Sequence, residues 1–422
     1  MQTKPRMIFI ALIMALTVSM LNPYRANAAP IQVNVAYDEY DESNNNCTLR
    51  EAIIAANQNR RVGGCPAGSS AEMDVIFLQP ITYYLSEFEK GSDDNSSKMG
   101  DLDITDSLTI LGDPSGKTII EVTTLKDRIF HISTTGSVIF RYLTIKNGEA
   151  TGLASNPHTG RGGGIFNERG TVTIDRCIII GNQGPTAGGG IENNLGAFMS
   201  ISDSIIQNNT SKYGGGIFND GQITIKNSLI HANEGKLHGG GFVNNDNLSK
   251  GTLINVTISA NQSPNGFGIF SQSNIEITNN TIVDNIKLGT IPGAAIYIVA
   301  KGFIVNSIIA RHVANCSVST TSFFSKGNNL VDNNDCPFNA TGEKSNTFPG
   351  LSTNLALNGG RTQNYALLEG SEAINAASNA YCPSYDQRSL FFSRTDGACD
   401  IGSFEFGAVE TVLSVYLPTI RR

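Results

Sequence analysis

Tryptophan is absent from this 422-residue chain and histidine is scarce, with only five residues. No two histidines are spaced i, i+4, so a helical zinc-binding pair is excluded. Beyond the first two dozen residues, no apolar run approaches the roughly 20 residues needed to cross a bilayer. Asn, Gly and Thr interrupt every candidate. There is no basic excess either: the formal net charge is −7, which argues against nucleic acid and anionic membrane as partners. No stretch carries the sustained helical periodicity of a helical or leucine-rich solenoid.

The first apolar run belongs to a leader. Lys4 and Arg6 precede Met7 to Leu21, and Ala26-Asn27-Ala28 forms a small-x-small cleavage site, so residues 1–29 are expected to be a secretory signal. Loss of Lys4, Arg6 and Arg25 with it makes the net charge three units more negative. An exported chain uses cysteine for disulfides. Cys47 and Cys65, Cys316 and Cys336, and Cys382 and Cys399 are the couples with the shortest loops to close, although six cysteines allow 15 pairings. Cys177 is left over in the apolar run Ile174 to Ile180, where a buried, inert thiol is expected.

The middle of the chain repeats. Gly162 to Asn167 (GGGIFN) recurs as GGGIEN at Gly188, GGGIFN at Gly214, GGGFVN at Gly239, GFGIFS at Gly266 and GAAIYI at Gly293. The fourth residue falls at 165, 191, 217, 242, 269 and 296, so each step is 25 to 27 residues. A second column follows, with alternating β-branched segments ending at Asn182, Asn209, Asn233, Asn261 and Asn285. Each unit holds short strands with Gly and Asn at the corners and no room for a helix. A propeller blade needs about 40 residues or more. What remains is an all-β fold, a right-handed parallel β-helix, in which equivalent side chains stack in columns. Gly supplies positive φ at the corners. Asn tolerates the left-handed region and can form hydrogen-bonded ladders. With weaker coils around 102–111 and 128–148, about eight coils at ~4.8 Å give a rod on the order of 40 Å.

Solenoid ends need covering. Thr48-Leu-Arg-Glu51 is a capping box, opening a helix with Leu49, Ala52, Ile53 and Ala56 on one face. This organises the chain as a signal (1–29), an N-terminal cap (30–100), β-helix repeats (101–316), a C-terminal cap (317–406) and a tail (407–422).

The stretch Cys47-Thr-Leu-Arg-Glu-Ala-Ile-Ile-Ala-Ala-Asn57 resembles the defining motif of CSLREA-domain proteins, with Thr48 in the usual Ser position. Asn358-Gly-Gly-Arg-Thr-Gln363, Asp386-Gln-Arg388 and Cys399-Asp-Ile-Gly-Ser-Phe-Glu405 resemble the choice-of-anchor Q region. The resemblance implies a secreted or cell-surface protein with a pectate-lyase-like β-helix, and implies no particular activity. The Leu417-Pro418-Thr419 triplet lacks a following Gly and a hydrophobic span before Arg421, so covalent sorting is not expected.

Chemistry is sparse. Neither the Asn-Thr-Asp and Gly-His-Gly motifs of polygalacturonases nor the Asp-His and Arg-x-Pro motifs of pectate lyases occur. Asp175, Glu192, Asp203, Asp220, Asp246 and Asp284 read as isolated acids, and His158, His231 and His238 as dispersed. No catalytic residue, metal or other cofactor is assigned. Glu87, Glu89, Asp93, Asp94, Asp101, Asp103 and Asp106 offer carboxylates for Ca²⁺, but a solvated loop explains them better. Sequons at Asn208, Asn255 and Asn279 are by-products of Asn-rich corners.

One column points to binding. If Ile165 and its equivalents face inward, the next residues face out: Phe166, Glu192, Phe218, Val243, Phe270 and Tyr297. Phe166, Phe218, Phe270 and Tyr297 would then form an exposed aromatic stripe that stacks on sugar rings, unless loops such as 149–161 cover it. The expected function is a monomeric, non-catalytic adhesion or glycan-binding scaffold whose partner is an extracellular polysaccharide or cell-surface glycan. The alternative is a lyase or glycoside hydrolase acting on acidic polysaccharide.

Overall fold

A computed structural model describes residues 30–86, 96–151, 158–389, 392–394 and 397–410. The expected leader, the tail from 411 onward and Glu87, Glu89, Asp93 and Asp94 lie outside the described residues. Among the described residues no helix is long and apolar enough to cross a membrane.

The repeats wind into a parallel β-solenoid. Its long sheet has 11 strands, the sheet built from the Ile-Phe-Asn segments has nine, a third has 10, and a short fourth sheet of five flanks the second. Every strand pairs in parallel with its equivalent one coil away; Ile165 sits opposite Ile191, and Ile191 opposite Ile217. These isoleucines are fully buried in one continuous core. Their strands are only three residues long because glycine turns the chain sharply just before each one. Gly188 shows the need, with φ +61° and a backbone oxygen of Ile191 only 2.4 Å from where a Cβ would stand.

The corner asparagines divide their work. Asn182, Asn209, Asn233, Asn261 and Asn285 are buried and form a ladder, each amide donating to the next at 2.9 to 3.0 Å. The left-handed backbone belongs to the residue before each, namely Gly181, Asn208, Ala232, Ala260 and Asp284. A second ladder links Asn167, Asn193, Asn219 and Asn244 at 2.8 to 2.9 Å. These amides satisfy buried corner groups that would otherwise each cost about 1–3 kcal/mol.

The expected helix spans Leu49–Gln58, with both hydrogen bonds of the Thr48 and Glu51 capping box formed. It is buried on more than its apolar face, because Arg50 closes onto residues that precede and follow it. Its guanidinium grips Asp38 at 2.7 and 2.9 Å and donates to the carbonyls of Ser97 and Gly100. The bridges are Cys47–Cys65, Cys316–Cys336 and Cys382–Cys399. Cys177 is buried, and desolvation pushes its thiol up to about 12.

Strands continue the three main sheets past residue 316, through Cys316–Val318, Phe323–Ser325 and Leu330–Val331. The rest of the C-terminal region does more than close the end. It runs back along the solenoid, held by a row of side chains one coil apart. Asn255, Asn279, Asn306 and Asn328 donate to the carbonyls of Tyr385, Asp400, Ser378 and Ala376. Asn255 and Asn279 are therefore buried, and the folded protein presents neither sequon. Arg388 knits this strap together internally, paired twice with Asp386 and sandwiched between the rings of Phe392 and Phe404 at 3.9 and 4.0 Å.

Candidate functional site

The outward residues of the second sheet form one continuous column. Pairing places Asp103, His131, Phe166, Glu192, Phe218, Val243, Phe270 and Tyr297 opposite one another in turn. Beside it the flanking sheet and its bridges align Arg161, Ala187, Tyr213, His238 and Asn265. Two facing columns make a groove with an apolar and a charged half.

The apolar half is a stack outside the main core. Phe218, Val243 and Phe270 cluster with Ala187, Tyr213 and Tyr297. The Phe270 ring lies 4.5 Å from that of His238 and 5.1 Å from that of Tyr297, stacked nearly parallel to the latter. Tyr213 stacks on His238 in turn. A pocket of about 380 Å³ opens here, lined by Tyr213, Phe218, His238, Val243 and Phe270 with Asn245 and Gln272 as polar edges.

The expectation of an exposed stripe needs correction. Phe166 is fully buried, and Phe218 and Phe270 are 8% and 5% exposed. Strand alternation does point these residues away from the core, but the flanking sheet rises beside them and covers their edges. Over Phe166 the cover is His158, 5.0 Å away ring to ring, and the guanidinium groups of Arg161 and Arg128. Tyr297 is half-buried.

The charged half gathers residues that sequence reading left scattered or passed over. His131 Nδ1 lies 2.9 Å from Asp103 Oδ1, and its Nε2 lies 3.3 Å from Glu168 Oε2. Arg128 Nε is 3.2 Å from Asp101 Oδ2. Asp101 and Asp103 are thus buried partners of a cation and an imidazole, not members of a solvated loop. Asp101, Asp103 and His131 also lie close enough to share a metal ion, but Arg128 already supplies positive charge at that point. Asp106, the remaining acid of the expected loop, accepts from Asn59.

Glu192 is the most unusual group. Its side chain is fully buried between Phe166 and Phe218, in ion-pair contact with Arg161, and neither oxygen has an aligned hydrogen bond. Desolvation raises its carboxyl to about 8, against the opposing pull of Arg161. The same Arg161 nitrogen lies 3.6 Å from Asp220 Oδ2. Asp220, also raised by burial, accepts from Asn245 Nδ2 at 2.9 Å, which ties the acids to the apolar pocket. Glu192 and Asp220 stand 28 residues apart, one just past a whole coil, which is why neither looked paired in the sequence. Of the other acids, Asp175 pairs with Arg141 and Asp284 with Arg311. Burial raises Asp220 and Asp203, and the nearby like charges of Asp246 and Asp175, respectively, raise them further. His231 lies outside the groove, bonded to Ser259.

This chain therefore has the architecture of a pectate-lyase-like parallel β-solenoid. A solved pectate lyase, Pel9A, matches it over 89% of this chain and 97% of its own, with a TM-score of 0.50 and 14% sequence identity. At that identity the likeness shows the fold. No protein-family model and no curated protein sequence matches the chain. The three disulfides fit an oxidising, extracellular setting.

Proposed function

We propose that this chain is a secreted or cell-surface glycan-binding protein of the CSLREA type, whose ligand lies along the groove against the half-buried Tyr297 and the narrow exposed margins of Phe218 and Phe270. The observation that carries this reading is the stacked aromatic wall beside a pocket with amide edges. Flat apolar faces and fixed amides are what a sugar ring and its hydroxyls require. Phe166 lies deeper, beneath Arg161 and His158, and supports the wall without meeting ligand. The rigid solenoid holds the wall at a constant spacing, so no rearrangement is needed on binding. The acidic overall charge disfavours nucleic acid and anionic membrane as competitors, and the protein acts as a monomer.

The test is a glycan array probed with the wild-type protein and with Phe270→Ala and Tyr297→Ala. Loss of at least tenfold in apparent affinity, in variants that retain cooperative unfolding, supports the reading. Unchanged binding overturns it. Binding alone accounts for the apolar half of the groove and leaves the charged half unexplained.

A further inference from the structure

We propose that Glu192 and Asp220 are a catalytic acid and base that hydrolyse an acidic polysaccharide seated in the groove. The inference rests on the glycan-binding reading and adds a reaction to it. A buried carboxyl with no aligned hydrogen bond is costly, and a folded chain keeps one where its chemistry is used. Here it sits one rung from the aromatic wall, beside a second carboxylate. Both acids touch one nitrogen of Arg161, whose side chain is 23% exposed and so reaches the groove mouth. Asp220 in turn is bonded to Asn245 at the pocket edge. Paired carboxylates around one bond are the arrangement that glycoside hydrolysis needs.

The substrate class follows from the rim. Lys212 and Lys236 are exposed on the flanking sheet, on the strands that carry Tyr213 and His238. With Arg161 they offer a line of cations to sugar carboxylates. A uronate that takes Arg161 opens one edge of Glu192 to the groove and leaves it without its cation, while Phe166 and Phe218 still flank it. Its burial then holds the carboxyl neutral near pH 7, in the form that donates a proton. In the reaction Glu192 gives its proton to the glycosidic oxygen as the bond from that oxygen to the anomeric carbon breaks. Water adds to that carbon, and Asp220 takes the proton that water loses. The products are a new reducing end and a new hydroxyl.

The experiment incubates the purified exported chain with uronate-containing and neutral polysaccharides and measures reducing ends, with array binding run in parallel. We expect reducing ends from at least one uronate polymer, without unsaturated products. Glu192→Gln and Asp220→Asn should each lower the rate by ~100-fold or more while binding persists. Binding with no reducing ends from any polymer overturns the inference and leaves the glycan-binding reading standing. Unsaturated ends overturn hydrolysis in favour of elimination. Full activity in a folded Glu192→Gln or Asp220→Asn protein also overturns it, and absence of both binding and cleavage overturns both readings.

Discussion

The two halves of one column differ in what holds them. From Phe218 to Tyr297 the side chains form an apolar cluster in which Phe270 stacks on His238 and Tyr297, each contact short-ranged. From Asp103 to Glu192 the same geometric positions carry two acids, an imidazole and the Phe166 ring, and partners from other coils meet the buried polar groups. The solenoid supplies both halves with the same spacing and orientation. A parallel β-helix thus behaves as a fixed rack on which one rung can hold a ring and the next an acid, without altering the backbone. The difference also explains where activity could lie. Stacked rings bind, whereas a desolvated carboxyl with an imperfect partner is primed for proton transfer.

The sharpest way to break this contrast is Asp103→Ala. It strips His131 Nδ1 and the Ser97 N–H of their buried partner, and should lower unfolding free energy by about 3 kcal/mol in urea titration. Phe270→Ala should cost less, about 2 kcal/mol, because the open pocket beside it lets water replace the lost ring. Equal losses would mean that the halves are not energetically distinct. A pH series comes next. Glu192 has a folded value near 8, raised above its unfolded value, so its contribution is complete below the unfolded value and is lost as pH rises toward 8. Arg161, Arg128 and Asp220 face it. Glu405, raised to about 7 by desolvation, acts in the same direction from the strap. Burial lowers His158, His231, His238 and His312, which oppose this slope below their unfolded value of 6.5, so urea midpoints should fall from pH 6.5 to pH 8, and Glu192→Gln should flatten part of that slope. An unchanged slope would show that Glu192 is not the titrating group. The smallest effect is expected from Val243→Phe. It adds a ring between Phe218 and Phe270 at a buried position, and should lower stability by about 1 kcal/mol while raising glycan affinity a few-fold.

Much of the architecture was legible in the sequence. The Gly-Gly-Gly-Ile repeat marked the coils, and the Asn column marked a ladder, because each depends on local backbone geometry repeated at a fixed step. The capping box at Thr48 and Glu51 was legible for the same reason. The candidate site was legible only in part. The outward column could be read as far as Phe166, but its continuation through His131 and Asp103 lies in weaker coils that lack the glycine marker. Glu192 and Asp220 occupy non-equivalent positions, so no repeat signal joins them, and Arg161 lies in a connecting segment of another coil. The strap was read as a cap because its motifs were recognisable while its path was not. Asp386 and Arg388 proved to hold the strap together internally through buried pairing, while Gln387 between them accepts from Thr257 of the solenoid.

By itself the sequence determined the rod: its step, its core isoleucines, its corner residues and the two faces of each strand. Those follow from alternation and chirality within a few residues. Only the tertiary structure decided which part of the outward face is covered, and which acids share a cation. Cover and pairing depend on segments from different coils meeting across the groove, and strand periodicity carries no information about that meeting.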